Sequence, residues 1–100
     1  MTPYEVGFPG PRFEKDFEKA LRRISTPYQL AIREAIQALS EDPRPPGKKV
    51  KALAGDVVVR HFTASLRLRV GPYRILYDVD DQNRKVVLLA LRKREESTYR

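Results

Sequence analysis

Six cations bracket two apolar runs late in this 100-residue sequence. Arg67, Arg69 and Arg74 lie before or just inside YRILYDV, and Arg92, Lys93 and Arg94 follow KVVLLAL. Tyr99 stands five residues beyond Arg94. A guanidinium offers a planar fork of N–H donors that matches two phosphate oxygens. A phenol can stack on a base or, with a lowered pKa, exchange a proton. Together these groups suit a ribose-phosphate backbone. The competing reading is an ordinary solvated surface, the usual fate of arginine on a strand.

Other chemistries have less to stand on. His61 is the one histidine, and no His/Asp/Glu set has metal-ligand spacing. Asp80 and Asp81 are adjacent in DDQN, where aspartate serves turns. There is no cysteine, so thiolate chemistry, disulfides and cysteine-based zinc sites are excluded, which also suits a reducing cytoplasm. Neither GxGxxG nor GxxxxGK occurs. A serine triad would need His61 as its base, with nothing to mark the nucleophile. No metal and no cofactor is expected.

The charge is unevenly spread. Net charge is +7, from 20 Lys and Arg against 13 Asp and Glu. Residues 1–43 carry 6 cations against 7 anions, and residues 44–100 carry 14 against 6. Arginine outnumbers lysine 13 to 7. The excess favours a polyanionic partner. A second basic group, Lys48, Lys49 and Lys51, lies in the Pro/Gly-rich stretch EDPRPPGKKVKALAGD, which reads as a solvated loop with phosphate contact as the alternative. No apolar run is long enough to span a membrane, and nothing resembles a signal peptide.

The elements that must position these residues follow from periodicity. YEVGF at 4–8 alternates and reads as a strand, broken by Gly10-Pro11. Phe13, Phe17, Leu21 and Ile24 form one helical face, with Glu14, Lys15, Glu18 and Lys19 outside it. Ser25 or Thr26 can cap a second helix, Pro27 suits its first turn, and it runs to about Leu39 before Pro43. Its apolar stripe is Tyr28, Ile32, Ala35, Ile36 and Leu39. VVVRHF and SLRLRV read as two strands around a tight turn or as one irregular ribbon. In SLRLRV, Leu66, Leu68 and Val70 face one way and Arg67 and Arg69 the other. A Gly-Pro turn then makes Arg69 and Arg74 neighbours on paired strands. YRILYDV and KVVLLAL form a hairpin through DDQN, and the last strand, apolar on both faces, is expected to be central in the sheet. The fold class is α+β: one domain over 1–100, with an antiparallel-core sheet of four to five strands packed against an N-terminal helical hairpin, in the order β-α-α-β-β-β.

On these residues the chain resembles the RelE/ParE toxin superfamily. RVGPYRILYDVDD carries the most specific match, an R-x-G-x-Y-R core with an acidic turn after it. KALAGD, LRLRV and KVVLLALRKREESTY extend it, and the two helices and YEVGF agree with it. The resemblance implies a toxin of a type II toxin–antitoxin pair. RelE-type members enter the ribosomal A site and cut mRNA, whereas ParE-type members poison DNA gyrase. It places Arg67, with Arg69 as the alternative on the same strand, and Arg74, Arg94 and Tyr99 at the catalytic positions of the nuclease branch, which is therefore favoured. Lys48, Lys49, Lys51, Arg69, Arg92 and Lys93 become RNA contacts, and His61 a candidate proton carrier. Cleavage would proceed by 2′-OH attack without a metal. The partners implied are a cognate antitoxin, in a toxin–antitoxin hetero-oligomer, and mRNA on the ribosome, in the cytoplasm. The alternatives are a gyrase inhibitor without nuclease activity and a non-toxic relative that binds RNA or protein.

Overall fold

A computed structural model describes residues 3–54 and 57–93. The elements are β1 (Glu5–Gly7), α1 (Pro11–Arg22), α2 (Thr26–Ala38), β2 (Val50–Ala52), β3 (Val58–Val59), β4 (Phe62–Thr63), β5 (Leu66–Val70), β6 (Tyr73–Asp80) and β7 (Lys85–Lys93). Five strands form one sheet in the order β1-β7-β6-β5-β2. β1 runs parallel to β7 and the other neighbours are antiparallel. The α+β arrangement expected from periodicity is therefore present. β7 is interior, next to the central β6. Among the described residues no helix is long and apolar enough to cross a membrane.

The helical hairpin closes one face of the sheet. Phe17, Leu21 and Ile24 of the first helical segment and Ile32 and Leu39 of the second are buried against Leu66, Leu68, Ile75, Tyr77, Val86, Leu88 and Leu91. Alternation places Leu66 and Leu68 inward and leaves Arg67 and Arg69 on the other face. Tyr28 departs from its stripe: it is 40% exposed. Ser25 is the residue before α2, but its side chain makes no capping hydrogen bond.

Two parts of the middle differ from the sequence reading. Lys51 lies on a strand, β2, which pairs with β5 inside what reads as a loop. Three residues are too short for a periodic signal, and the neighbouring prolines and glycine mask it. VVVRHF adds no strand to the five-stranded sheet. It folds into the two-residue strands β3 and β4, turned at Arg60 and His61, with Arg60 at φ 57°. This small hairpin is tied to α1. The Arg60 guanidinium donates to Asp16 at 2.7 Å and lies over the Phe13 ring, and Phe62 meets Phe13 edge-on at 5.3 Å. A second apolar cluster, Phe13, Ala64, Leu76 and Leu89, thereby fills part of the sheet's other face.

The β6–β7 turn is held by its two aspartates. Asp80 accepts from the Asn83 backbone N–H at 3.1 Å and from its Nδ2 at 2.9 Å. Asp81 accepts from Tyr4 Oη at 2.7 Å and from both Arg44 terminal nitrogens, at 3.1 and 2.9 Å. The Arg44 fork and the Tyr4 hydroxyl hold the Asp81 carboxyl down to about 2. A depressed carboxylate stabilises the fold above its unfolded value near 3.8 and loses that contribution as pH falls through about 2. Asp81→Asn is therefore expected to flatten the melting temperature against pH between about pH 4 and 2, measured by circular dichroism.

Candidate nucleic-acid interface

The strand register builds the site. Arg69 on β5 pairs with Arg74 on β6, and Arg74 pairs in turn with Arg92 on β7. Three guanidiniums thus spring from directly opposed positions on one sheet face. Such positions bring β-carbons to about 4.5–5.5 Å. Lys49 extends the row, because its carbonyl accepts from the Arg69 N–H at 2.7 Å. One step along, Lys51 pairs with Arg67, and Arg67 with Leu76. Leu76 belongs to the second apolar cluster, so the basic row lies beside that cluster on the same face.

Two local features create this row. Gly71-Pro72 joins β5 to β6 as a two-residue turn, with Gly71 at φ 56°. Glycine first suits the hairpin turn that needs a positive φ there, and proline second supplies its fixed negative φ. This turn sets Arg69 opposite Arg74. The second feature is a bulge in β7. Leu76 pairs with Ala90 while Tyr77 pairs with Leu88, so Leu89 is an extra residue. Simple alternation from Leu88, which faces the helices, would send Arg92 to the helix side as well. The extra residue flips the phase, keeps Leu91 in the helix-facing core and turns Arg92 toward Arg74.

Like charges directly opposed across strands destabilise a sheet. Arg69 and Arg92 are exposed, and Arg67 and Arg74 are half-buried. An anion seated across the row would relieve the repulsion and accept several charge-assisted hydrogen bonds at once.

The remaining candidate residues divide. Lys48 and Lys49 line an open cleft of about 570 Å³ with Arg69, Gly71, Pro72 and Tyr28. Lys51 stands next to Arg67. Lys93 pairs with Tyr73 and lines a recess on the helix side with Ala20, Arg23, Ile24 and Arg92. Lys93 therefore borders the row at Arg92, from the opposite face of the strand. His61 is exposed in the β3–β4 turn. Arg94 and Tyr99 lie outside the described residues. Tyr28, read from sequence as core, is the residue missed at this surface. Helical spacing alone gives no sign that the first turn of α2 overhangs the sheet's end.

The chain matches the family model of the ParE toxin of the type II toxin–antitoxin system parDE over residues 10–98. Comparison with curated proteins finds no match. Among solved structures, a chain of the RelBE2 toxin–antitoxin complex from Mycobacterium tuberculosis is 28% identical, with 94% of each chain covered and a TM-score of 0.65. A chain of the archaeal RelE–RelB complex from Pyrococcus horikoshii OT3 is 26% identical, over 97% of this chain and 100% of that one, with a TM-score of 0.72. The isolated Escherichia coli RelE toxin shares the fold at 18% identity and a TM-score of 0.63, over 95% of this chain and 88% of that one. The R-x-G-x-Y-R segment thus sits on the strand pair that carries the arginine row, in a sheet-and-hairpin fold common to these toxins. With a family match over nearly its whole length, this chain belongs to the ParE toxin family of type II toxin–antitoxin systems, within the RelE/ParE superfamily.

Proposed function

We propose that this toxin is a ribosome-dependent endoribonuclease that cuts mRNA in the A site without a metal. The observation that carries this reading is the in-register row Arg69–Arg74–Arg92 on one sheet face. The ribose 2′-oxygen attacks the adjacent phosphorus. The bond to the 5′-oxygen of the next nucleotide breaks, leaving a 2′,3′-cyclic phosphate and a 5′-hydroxyl. Arg74, with Arg94, holds the phosphate and stabilises charge as it develops on the non-bridging oxygens. Such donors contribute a few kcal/mol each. Arg67 positions the scissile phosphate, and Tyr99 stacks on a base or takes the 2′-OH proton. An arginine is a poor proton carrier at neutral pH. His61 is the alternative carrier, acting from the β3–β4 turn. A site so poor in acid–base groups depends on the ribosome to orient its substrate. We propose, too, that the toxin acts in the cytoplasm and is held inactive by a cognate antitoxin, as the RelBE2 and RelE–RelB complexes pair toxin with antitoxin.

The family model favours a second reading, gyrase inhibition, in which the row contacts the enzyme or its DNA and no RNA bond is cut. Inducing the gene and mapping transcript ends by primer extension, alongside assay of the DNA-damage response, separates the two. The nuclease reading expects cuts within translated mRNA and no DNA breaks. DNA breaks with intact transcripts would establish the gyrase reading in its place.

A further inference from the structure

Tyr28 is placed as a platform rather than as core. It stands in the first turn of α2, 40% exposed. Its ring and that of Tyr73 meet T-shaped, with centroids 5.4 Å apart and an interplanar angle of 70°. Its ring also lies over the β5–β6 turn: a β-carbon on Gly71 would fall 2.5 Å from Tyr28 Cε1. Gly71 therefore meets two demands, a positive φ for the turn and room for the ring. The ring is held by Tyr73 and by the Gly71 turn, so a stacking partner costs it little further freedom.

Around the platform the cleft is cationic. Lys48, Lys49 and Arg69 line it with Gly71 and Pro72, and among the described residues its lining holds no carboxylate. Arg69 belongs to the cleft and to the arginine row at once. A chain of phosphates lying across the row thus continues around the β5–β6 turn into the cleft. An aromatic face beside backbone-reading cations is the usual composition of a single-stranded nucleic-acid subsite.

We propose that Tyr28, Lys48 and Lys49 form a stacking subsite for an RNA nucleotide that flanks the phosphate held by Arg74. The proposal rests on the nuclease reading for its ligand and adds a second base contact, on the helix side of the sheet's end. Tyr28 stacks the base, and Lys48 and Lys49 take the neighbouring phosphates.

The test uses the purified full chain and a short single-stranded 2′-O-methyl RNA carrying one 2-aminopurine, which resists cleavage and loses fluorescence on stacking. Tyr28→Ala is expected to weaken binding about tenfold and abolish the quenching, whereas Tyr28→Phe retains both. Lys48→Ala with Lys49→Ala, in a surface loop where folding is not at stake, is expected to reduce the salt dependence of log K by about one to two. Wild-type affinity and quenching in Tyr28→Ala, with an unchanged salt slope in the lysine variant, would overturn the subsite. If Arg74→Ala then still weakens binding, the arginine row stands without the subsite, and the cleft is open to an acidic protein segment. If the wild-type chain binds no RNA at low salt, the subsite falls, and the nuclease reading is decided separately by cleavage on programmed ribosomes.

Discussion

Arg74→Ala is expected to reduce mRNA cleavage on the ribosome by about 100- to 1,000-fold, the cost of losing one donor aimed at developing charge. Arg74 occupies the middle of the row, paired on both sides by arginine. Its loss removes a charge-assisted contact and leaves a gap between the other two. It also removes two like-charge oppositions from the sheet. Stability is therefore expected to hold within about 1 kcal/mol, since relief of repulsion offsets the contacts the side chain makes. Activity and stability should thus separate, with a large loss of cleavage at an almost unchanged melting temperature. Arg74→Lys keeps the charge but not the planar fork, so it should recover only part of the rate. A variant that melts early and cuts normally once refolded would show that Arg74 is scaffold.

Tyr77 is expected to give the opposite separation. It is fully buried, between Leu66 on β5 and Leu88 on β7, and its hydroxyl donates to the Pro43 carbonyl at 2.7 Å. That bond ties the loop after α2 to the centre of the sheet. Tyr77→Ala removes an aromatic ring from the core and should cost about 3–5 kcal/mol. Tyr77→Phe keeps the ring but strands the carbonyl, and should cost about 1–3 kcal/mol. Denaturant unfolding of the purified variants measures both. Burial also pushes the Tyr77 phenol up to about 12, from an ordinary value near 10. A group whose pKa is raised by folding stabilises the fold fully below its unfolded value. That contribution declines as pH climbs from about 10 through about 12. Tyr77→Phe should remove this part of the alkaline stability profile while lowering stability at neutral pH. Equal stability of the Phe variant and the wild type at pH 7 would mean the Pro43 bond contributes nothing net.

The difference between these residues shows what was legible in the sequence. The helical hairpin was legible because Phe13, Phe17, Leu21 and Ile24 keep a helical period. The Arg69–Arg74 pair was legible because Gly71-Pro72 marks a two-residue turn and alternation fixes the faces on either side. Arg92 was harder. Its place beside Arg74 depends on Leu89 being one residue too many, and a run apolar on both faces carries no phase from which to read a bulge. Ordinary alternation puts Arg92 and Lys93, grouped by adjacency in sequence, on opposite faces of β7. Strand β2 escaped because three residues are less than two periods of alternation. Tyr28 escaped for a different reason. Its spacing fits the apolar stripe of α2, and only the tertiary placement of that helix over Gly71 turns it outward.

The central claim is that the arginine row serves RNA cleavage by the substrate's own 2′-hydroxyl. It is tested most directly on programmed ribosomes carrying an mRNA with a single 2′-deoxynucleotide on the 5′ side of the mapped cut. The expected result is cutting of the all-ribose message, with a 2′,3′-cyclic phosphate on the upstream fragment, and no cutting at the deoxy position. Cleavage that proceeds at the deoxy position, or an all-ribose message left intact by an otherwise toxic protein, would contradict it.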